Sequence, residues 1–151
     1  MRALTLKRPW HFVILRCGKR IENRPWKPWD VVMGERIALH AGKGWDPVAE
    51  KYLPPEFGTP EEPSLIRQEG IVGTAVVKGW FASDAEVLKT GKSHEGLHWQ
   101  TVNALTKDRF FFGPYGWVLD DVLELITPVM CRGKQGLWHV PDAALAEILK
   151  L

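Results

Sequence analysis

The apolar pattern of the first fifty residues predicts two strands and two helices. Ala3-Leu4-Thr5-Leu6 predicts a short strand. Pro9 suits the first turn of a following helix and Gly18 suits its end. The apolar face of that helix is formed by Trp10, Val13, Ile14 and Cys17, which recur at helical spacing.

A second strand is predicted over 36–41, and Gly42-Lys43-Gly44 is expected to break it. Asp46 is a suitable N-cap and Pro47 a suitable first helical residue, so a short helix is expected near 47–53. Residues 19–29 are polar and aromatic. Their prolines, Pro25 and Pro28, exclude a regular central strand there.

The second half of the chain alternates between strand and helix signals. The predicted strands cover 70–81, 109–112, 115–125 and 137–140, with the third ending before Pro128. Ser83 or Asp84 is expected to cap a helix over 84–89, and Asp142 a final helix. The apolar stripe of that final helix is formed by Leu145, Ile148 and Leu149.

These elements predict a single α+β domain over residues 1–151. The strands do not alternate strictly with helices, which disfavours a doubly wound sheet and favours a small mixed β-barrel with peripheral helices. Within the domain, the four prolines of 54–64 indicate a Pro-rich surface loop. Residues 83–108 are expected to form a variable helical insertion, although 90–107 show no clear periodicity.

Composition narrows the class of protein. Of 151 residues, 45% are apolar and 25% charged, which is typical of a globular protein and disfavours disorder. No apolar run is long enough for a bilayer or resembles a signal peptide, so the expected location is cytoplasmic, without a membrane partner. Cys17 and Cys131 lie far apart without CxxC spacing. Reduced thiols are therefore expected, and neither a metal site nor a cofactor.

Charge is distributed unevenly along the chain. Residues 1–44 contain ten basic and three acidic residues, a net of +7, whereas the whole chain carries only +2. A basic segment of this kind indicates an anionic partner, most often nucleic acid. The alternative is that the acidic remainder of the folded chain covers the basic segment.

The densest polar cluster lies in residues 17–26. In an extended stretch, Arg20, Glu22 and Arg24 would share one face, while Ile21 and Asn23 would share the other. A carboxylate beside basic groups can accept hydrogen bonds from a base or move a proton. The alternative interpretation is a solvated surface salt bridge.

At this cluster the sequence resembles the ASCH domain, of the PUA-like superfamily of small β-barrels. Lys19, Glu22 and Arg24 match its lysine, glutamate and arginine in register, whereas Cys17 stands at its glycine position. The resemblance covers roughly residues 2–140. It also includes the segments Pro9-Trp10, Gly34-Glu35-Arg36-Ile37, Gly113-Pro114-Tyr115-Gly116-Trp117 and Gly133-Lys134-Gln135-Gly136-Leu137-Trp138.

The resemblance implies a pseudo-barrel with a cleft between its first helix and its wall, lined by Lys19, Glu22 and Arg24. It implies binding of RNA or other nucleic acid, while some members are amidohydrolases of acylated cytidine and others are associated with ribonuclease activity. Amidohydrolase members use a lysine, a threonine and a glutamate. Lys19 matches the lysine, Glu22 stands at the threonine position, and Glu95 is a weak candidate for the glutamate.

Tryptophan placement supports a role in base stacking. Of eight tryptophans, Trp26, Trp29 and Trp45 lie in or beside the basic segment, where they could stack on unpaired bases. The alternative role for any of them is packing, which is expected for Trp10, Trp80 and Trp138; Trp99 and Trp117 are not assigned.

The Gly42-Lys43-Gly44 segment could cradle a phosphate. His94 and His98 lie four positions apart, but no third metal ligand is apparent near them.

The sequence therefore predicts a module that binds RNA, single-stranded nucleic acid or a modified nucleotide. The alternative is a small amidohydrolase or ribonuclease that uses Lys19 and Glu22. An adaptor that docks a protein through 54–64 or 90–107 is a third, weaker alternative, and no protein partner is indicated. The predicted nucleic-acid-binding residues are Lys19, Arg20, Glu22, Arg24, Trp26 and Lys43.

Overall fold

The computed structural model describes residues 1–55 and 68–150. Strands and short helices follow one another along these residues without a regular βαβ repeat. Short 3₁₀ helices cover Asp30–Val32 and Pro47–Tyr52. The remaining elements are β1 (Arg2–Arg8), α1 (Trp10–Arg16), β2 (Ile21–Arg24), β3 (Arg36–Trp45), β4 (Gly70–Ala82), α2 (Asp84–Thr90), β5 (His94–Glu95), α3 (Trp99–Leu105), β6 (Tyr115–Val129), β7 (Leu137–His139) and α4 (Asp142–Leu149).

The strands form one mixed sheet with the hydrogen-bonded order β2-β6-β4-β3-β1-β7, and β5 pairs with β4. β1 runs parallel to β3 and antiparallel to β7, while β2 runs antiparallel to β6. A mixed sheet with separate helices is the predicted α+β class. The chain divides into two compact units, and β3, β4 and β6 contribute residues to both.

The first unit comprises the described parts of residues 1–18, 37–75 and 122–151. Helix α4 covers its core with Ala144 and Ile148, which lie one helical turn apart and are both buried. Trp138 is 5% exposed, as the sequence predicts, and its Nε1 donates to Oγ1 of Thr5 at 3.0 Å. The core cluster is Ala3, Ala38, Ile71, Val129, Trp138, Val140, Ala144 and Ile148.

The second unit comprises residues 19–36 and 76–121. Its core lies on one face of the β2–β6 pair, where Ile21 and Val118 are directly opposite each other and pack with Phe81. Helix α2 begins after Ser83, whose Oγ accepts from the backbone N–H of Glu86 at 3.3 Å, as predicted for a cap. The partly buried residues around this core are Leu97, Val102, Leu105 and Phe111.

Two predicted strand ends are wrong. β3 does not break at Gly42 but continues to Trp45, with a shift in its register against β1 between Leu6 and Arg8. A side chain at position 42 would place its Cβ 2.8 Å from Cγ2 of Thr5, so glycine permits this irregular pairing.

Similarly, β6 does not end before Pro128 but continues to Val129. β2 pairs with β6 only over Tyr115–Val118. The later part of β6 therefore has no β2 partner on that side, which is where a strand tolerates proline.

The predicted strand over 109–112 is also wrong. Asp108 turns the chain, because its Oδ1 accepts from the N–H of Phe110 at 2.8 Å and its carbonyl accepts from the N–H of Phe111 at 3.0 Å. In α4, Leu149 is 72% exposed and does not belong to the buried stripe.

Three further expectations concern the loop, the insertion and the membrane. The Pro-rich loop predicted over 54–64 lies outside the described residues from position 56 onward. Residues 83–108 carry α2, β5 and α3. None of the helices found within 1–55 and 68–150 is both long and apolar enough to cross a membrane.

Candidate functional site

Lys19 is buried at the point where the chain turns into β2. Gly18 follows the end of α1 with a φ of +78°, a conformation that glycine adopts without steric cost. The Lys19 side chain beyond it is only 2% exposed, and its Nζ lies 3.3 Å from Oε2 of Glu22. A buried ammonium group needs such a partner, because removing it from water is otherwise very costly.

Glu22 is held from both sides. Its Oε2 contacts Lys19, and its Oε1 lies 3.1 Å from Nε of Arg24. The exposed fraction of the side chain rises from 2% for Lys19 to 10% for Glu22 and 20% for Arg24. The three residues, called the charged trio below, thus lead from the interior of this unit towards solvent, with the carboxylate in the middle.

The surroundings of Lys19 perturb its protonation. Burial lowers the pKa of Lys19, and the charge and hydrogen bond of Glu22 partly oppose that effect. The positive charge of Arg24 lowers this pKa further, whereas Asp108 is near enough to raise it. Asp108 is a member of the site that the sequence did not reveal, since it is one acid in a polar stretch without periodicity.

Strand pairing places two aromatic residues on the face of the trio. Glu22 is directly opposite Trp117, and Arg24 is opposite Tyr115. Because alternate residues of a strand share a face, these four side chains lie on the side away from Ile21. The predicted separation of Glu22 and Arg24 from Ile21 is therefore confirmed.

Trp26 extends this aromatic surface. Its ring meets that of Trp117 edge-on, with centroids 4.9 Å apart, and its carbonyl accepts from Nε1 of Trp117 at 3.0 Å. Trp117 itself is fully buried. Trp29 lies 6.3 Å from Trp26 between ring centroids and is 48% exposed, so it presents an aromatic surface to solvent.

A second aromatic group continues from Tyr115. Its ring lies 5.7 Å from that of Trp80, which is 1% exposed and carries Lys27 over its face at 5.6 Å. Lys27 also lies 3.8 Å from Glu95. The weak candidate for a second catalytic acid, Glu95, thus neighbours Lys27, whereas the negative charge of Asp108 raises the pKa of Lys19.

Asn23 anchors the segment that follows Asp108. Its Nδ2 donates to the carbonyl of Phe110 at 2.8 Å, and its Oδ1 accepts from the N–H groups of Phe112 at 2.7 Å and Gly113 at 3.2 Å. Three hydrogen bonds from one side chain fix the backbone of this segment. The sequence predicts that Asn23 shares a face with Ile21, but its positioning role was not predicted.

The other predicted binding residues are divided between the units. Arg20 is exposed in the trio's unit, and its Nη1 donates to the carbonyl of Lys19 at 3.0 Å. Lys43 and Trp45 belong to the first unit, within β3, where Nε1 of Trp45 donates to Glu50 at 2.7 Å. Lys19, Arg20, Glu22, Arg24 and Trp26 therefore belong to one unit, and Lys43 belongs to the other.

Metal ligation and disulfide formation were both disfavoured by the sequence. Within the described part of the chain, no group of three or more His, Cys, Asp or Glu side chains is arranged to hold a metal ion. Nδ1 of His98 accepts from the N–H of Gln100 at the start of α3, while His94 lies 2.7 Å from Oγ of Ser93. Neither Cys17 nor Cys131 takes part in a disulfide.

Comparison with known proteins identifies the fold. No protein-family model matches the sequence, and no curated protein matches it significantly. Among solved structures, a tyrosine-to-phenylalanine variant of ZmASCH from Zymomonas mobilis aligns with a TM-score of 0.51 at 13% identity, covering 99% of this chain and 96% of the other. A serine-to-alanine variant of the same protein gives a TM-score of 0.51 at 13% identity, with coverage of 99% and 94%. The chain therefore has the α+β, PUA-like fold of an ASCH domain protein.

Proposed function

We propose that this chain is an ASCH-type module that binds single-stranded nucleic acid, RNA in the first instance, or a modified nucleotide at the face of the charged trio. One observation carries the proposal: the Glu22 carboxylate is fixed between two cations on the sheet face that also bears Tyr115 and Trp117. A base amine needs an acceptor, a phosphate needs a cation and a base ring needs an aromatic face. The charged trio supplies the acceptor and the cations, and the partly exposed rings of Tyr115 and Trp26 supply the aromatic surface.

Exposure decides which residue takes which role. Arg24 and Arg20 reach solvent and would contact phosphate. Glu22 would accept a hydrogen bond from an exocyclic amine, such as that of cytosine. Lys19 is almost completely buried, which favours a role in orienting the Glu22 carboxylate over direct phosphate contact.

Trp26 and Trp29, at the edge of this face, would stack on the bases of the nucleic acid. Trp26 is partly exposed and Trp29 is half exposed, so a base could lie against either ring. Stacking contributes roughly 1–3 kcal/mol per base by alanine substitution. It needs no particular sequence, which suits a single-strand binder.

The test is a titration of labelled single-stranded RNA against the wild-type protein and two variants, repeated over a range of salt concentrations. Arg24→Gln should weaken binding and reduce the salt dependence, because one phosphate contact is lost. Trp26→Ala should weaken binding by about the stacking free energy of one base, roughly five-fold to more than a hundred-fold.

Each variant has a matched control. Arg16→Gln removes the same charge from an exposed arginine that pairs with Glu124, and Trp99→Ala removes a tryptophan that is 60% exposed on α3. Both controls should bind as the wild type does. If Arg24→Gln and Trp26→Ala also bind as the wild type does, the assignment of this face is wrong.

A second candidate function is favoured by the lowered pKa of Lys19 beside Glu22. We propose as the alternative that this pair hydrolyses an acylated cytidine. Lys19 in its uncharged form would take a proton from a water that attacks the acyl carbon, and Glu22 would relay that same proton from Lys19 to the leaving amine as the carbon–nitrogen bond breaks. The products are a carboxylic acid and cytidine, so the atoms balance. Ribonuclease action by the same pair is the other hydrolytic alternative.

Incubation with N4-acetylcytidine and, separately, with single-stranded RNA distinguishes these alternatives from binding alone. Release of cytidine, absent in Lys19→Met and retained in the control Lys27→Met, would support the amidohydrolase. RNA cleavage with the same dependence would support the ribonuclease. If neither substrate is turned over by the pure protein, the hydrolytic candidates fail and the binding module remains.

A further inference from the structure

A pocket of 960 Å³ lies in the first unit, distinct from the charged trio in the second. It is lined by residues from β1, from the middle of β3, from the start of β4 and from the segment that precedes β7. Its volume is at the upper end of the range of small-molecule sites. The proposed nucleic-acid face makes no use of it.

Cationic side chains predominate among the charged groups that line this pocket. Lys43, Arg132 and Lys134 line it and are exposed, so their charged ends are available to a ligand. Glu69 also lines it, but its carboxylate lies 3.7 Å from Arg8, whose Nη2 donates to the carbonyl of Lys43 at 2.8 Å. The arrangement favours an anion.

The thiol of Cys131 adds no opposing charge. It lines the same pocket, and burial raises its pKa, so the sulfur stays protonated at neutral pH. Uncharged groups form much of the remaining lining, including Thr5, Ala41 and Met130. A ligand with an anionic end and an uncharged body would match both parts.

His40 provides an unfilled hydrogen-bonding position. It lines the pocket, is 4% exposed, and has its Nε2 2.9 Å from the carbonyl oxygen of Cys131. Because a carbonyl only accepts, Nε2 carries the hydrogen in this contact, and in that tautomer Nδ1 is the acceptor. That Nδ1 is buried and has no hydrogen-bond partner in the structure. Buried polar atoms rarely lack partners, and a donor on a ligand would satisfy this one.

Position 133 has no room for a side chain, because its backbone lies against the ring of His40. A Cβ at position 133 would lie 2.5 Å from Cε1 and 2.6 Å from Nδ1 of His40, and 2.9 Å from Oγ1 of Thr5. Gly133 therefore lets the segment from Arg132 to Lys134 pass directly against the ring. This close approach sets the backbone between the two cationic residues against the ring, and both residues line the same pocket.

We propose that this pocket binds a small organic phosphate of nucleoside monophosphate size. Its phosphate would contact Lys43, Arg132 and Lys134, and a hydroxyl or amino group would donate to Nδ1 of His40. Inorganic phosphate would leave most of 960 Å³ empty and could not reach both parts of the lining.

The test is calorimetric titration of the whole protein with cytidine monophosphate, adenosine monophosphate, the two unphosphorylated nucleosides and inorganic phosphate. A monophosphate should bind at least ten-fold more tightly than its nucleoside or than phosphate alone. The double variant Arg132→Gln/Lys134→Gln should lose at least ten-fold in affinity. Lys150→Gln, an exposed lysine of the same unit outside the pocket, is the matched control and should bind as the wild type does.

His40→Gln tests the acceptor separately. The glutamine amide can still donate to the carbonyl of Cys131 but offers no atom at the position of Nδ1, so affinity should fall for nucleotides and not for inorganic phosphate. If this variant unfolds, the double variant still decides the proposal, because its substitutions are on exposed side chains.

Three results would overturn the proposal. Equal affinity for inorganic phosphate would reduce the pocket to a simple anion site. Competition by single-stranded RNA without terminal phosphates would assign the pocket to a polymer. Loss of nucleotide affinity in Arg24→Gln, with retention in the double variant, would move the nucleotide to the charged trio. Conversely, if nucleotides bind and RNA does not, the pocket proposal is supported and the proposed function at the charged trio is wrong.

Discussion

Nζ of Lys19 and Oε2 of Glu22 lie 3.3 Å apart in an ion pair of which only 2% and 10% of the two side chains are exposed. A buried ion pair of this kind gains little net free energy, since desolvation offsets the attraction between the charges. Its loss is nevertheless costly, because one buried charge is then left without its partner. The pair is therefore better understood as a device that fixes the Glu22 carboxylate in place.

Glu22→Gln should destabilise the protein by roughly 3–5 kcal/mol, because it leaves Lys19 buried without a counter-charge. Urea denaturation at neutral pH would measure the change in the free energy of unfolding. The matched control is Glu124→Gln, which breaks the exposed pair with Arg16 and should cost less than about 1 kcal/mol. Equal costs for the two variants would mean that burial of the Lys19 pair has no energetic consequence.

Stability should depend on alkaline pH through Lys19. Burial lowers the pKa of Lys19 below its usual value of 10.5 in the folded state. Between the folded-state value and 10.5, the unfolded chain carries a proton that the folded chain lacks, so this group makes the free energy of unfolding rise with pH. Lys19→Met should abolish that contribution.

Two other groups act in the opposite direction and require a difference measurement. Burial and the hydrogen bond to Glu86 raise the pKa of Tyr115, and burial raises the pKa of Cys131. Each therefore makes stability fall as pH rises past its usual value. The stability of the wild type minus that of Lys19→Met, from about pH 8 to about pH 10, isolates Lys19 because both contain the other two groups. A difference that does not change with pH would contradict the lowered pKa.

Local sequence signals were sufficient to predict where helices begin and end wherever one residue type determines the backbone conformation. Ser83 caps α2, Asp46 caps the 3₁₀ helix with its Oδ1 accepting from the N–H of Val48, and Gly18 ends the turn after α1, all as the sequence predicts. The strand ends that were wrong depend on pairing with distant segments. Neither the register shift opposite Gly42 nor the limited length of β2 beside β6 can be predicted from residues that are nearby in the sequence.

In the candidate site, too, local sequence signals predict some features, whereas others depend on distant residues. Lys19, Glu22 and Arg24 could be placed together because they lie within six residues, and because Glu22 and Arg24 alternate along a strand. Their aromatic partners, Tyr115 and Trp117, lie more than ninety residues away and follow only from strand register. The burial of Lys19 could not be predicted either, since charged residues in a polar stretch are usually solvated.

Asn23→Ala should loosen the segment that follows Asp108. The substitution removes three hydrogen bonds, to Phe110, Phe112 and Gly113, and leaves their backbone groups without those partners, at a cost of about 1–3 kcal/mol. Amide hydrogen exchange should accelerate at Phe112 and Gly113, because their N–H groups donate to Oδ1 of Asn23 in the wild type. Asn103→Ala, on the exposed side of α3, is the control and should leave these rates unchanged.

Gly116→Ala should disturb the pairing of β2 with β6 from its core side. Gly116 is directly opposite Asn23, and a Cβ there would lie 2.6 Å from two ring atoms of Phe81 and 3.0 Å from Cγ2 of Ile21. Overpacking of this kind costs typically about 1–3 kcal/mol. Gly44→Ala introduces the same methyl group within β3, at an ordinary 3.5 Å from Cγ of Lys7, and should change the free energy of unfolding far less.

Because Glu22 and Trp117 lie on the opposite face of the same strand pair, displacement of β2 by Gly116→Ala should also weaken RNA binding at the charged trio. Normal stability and normal RNA affinity in this variant would show that Phe81 can move aside, and that the register of β2 does not depend on a glycine at this position.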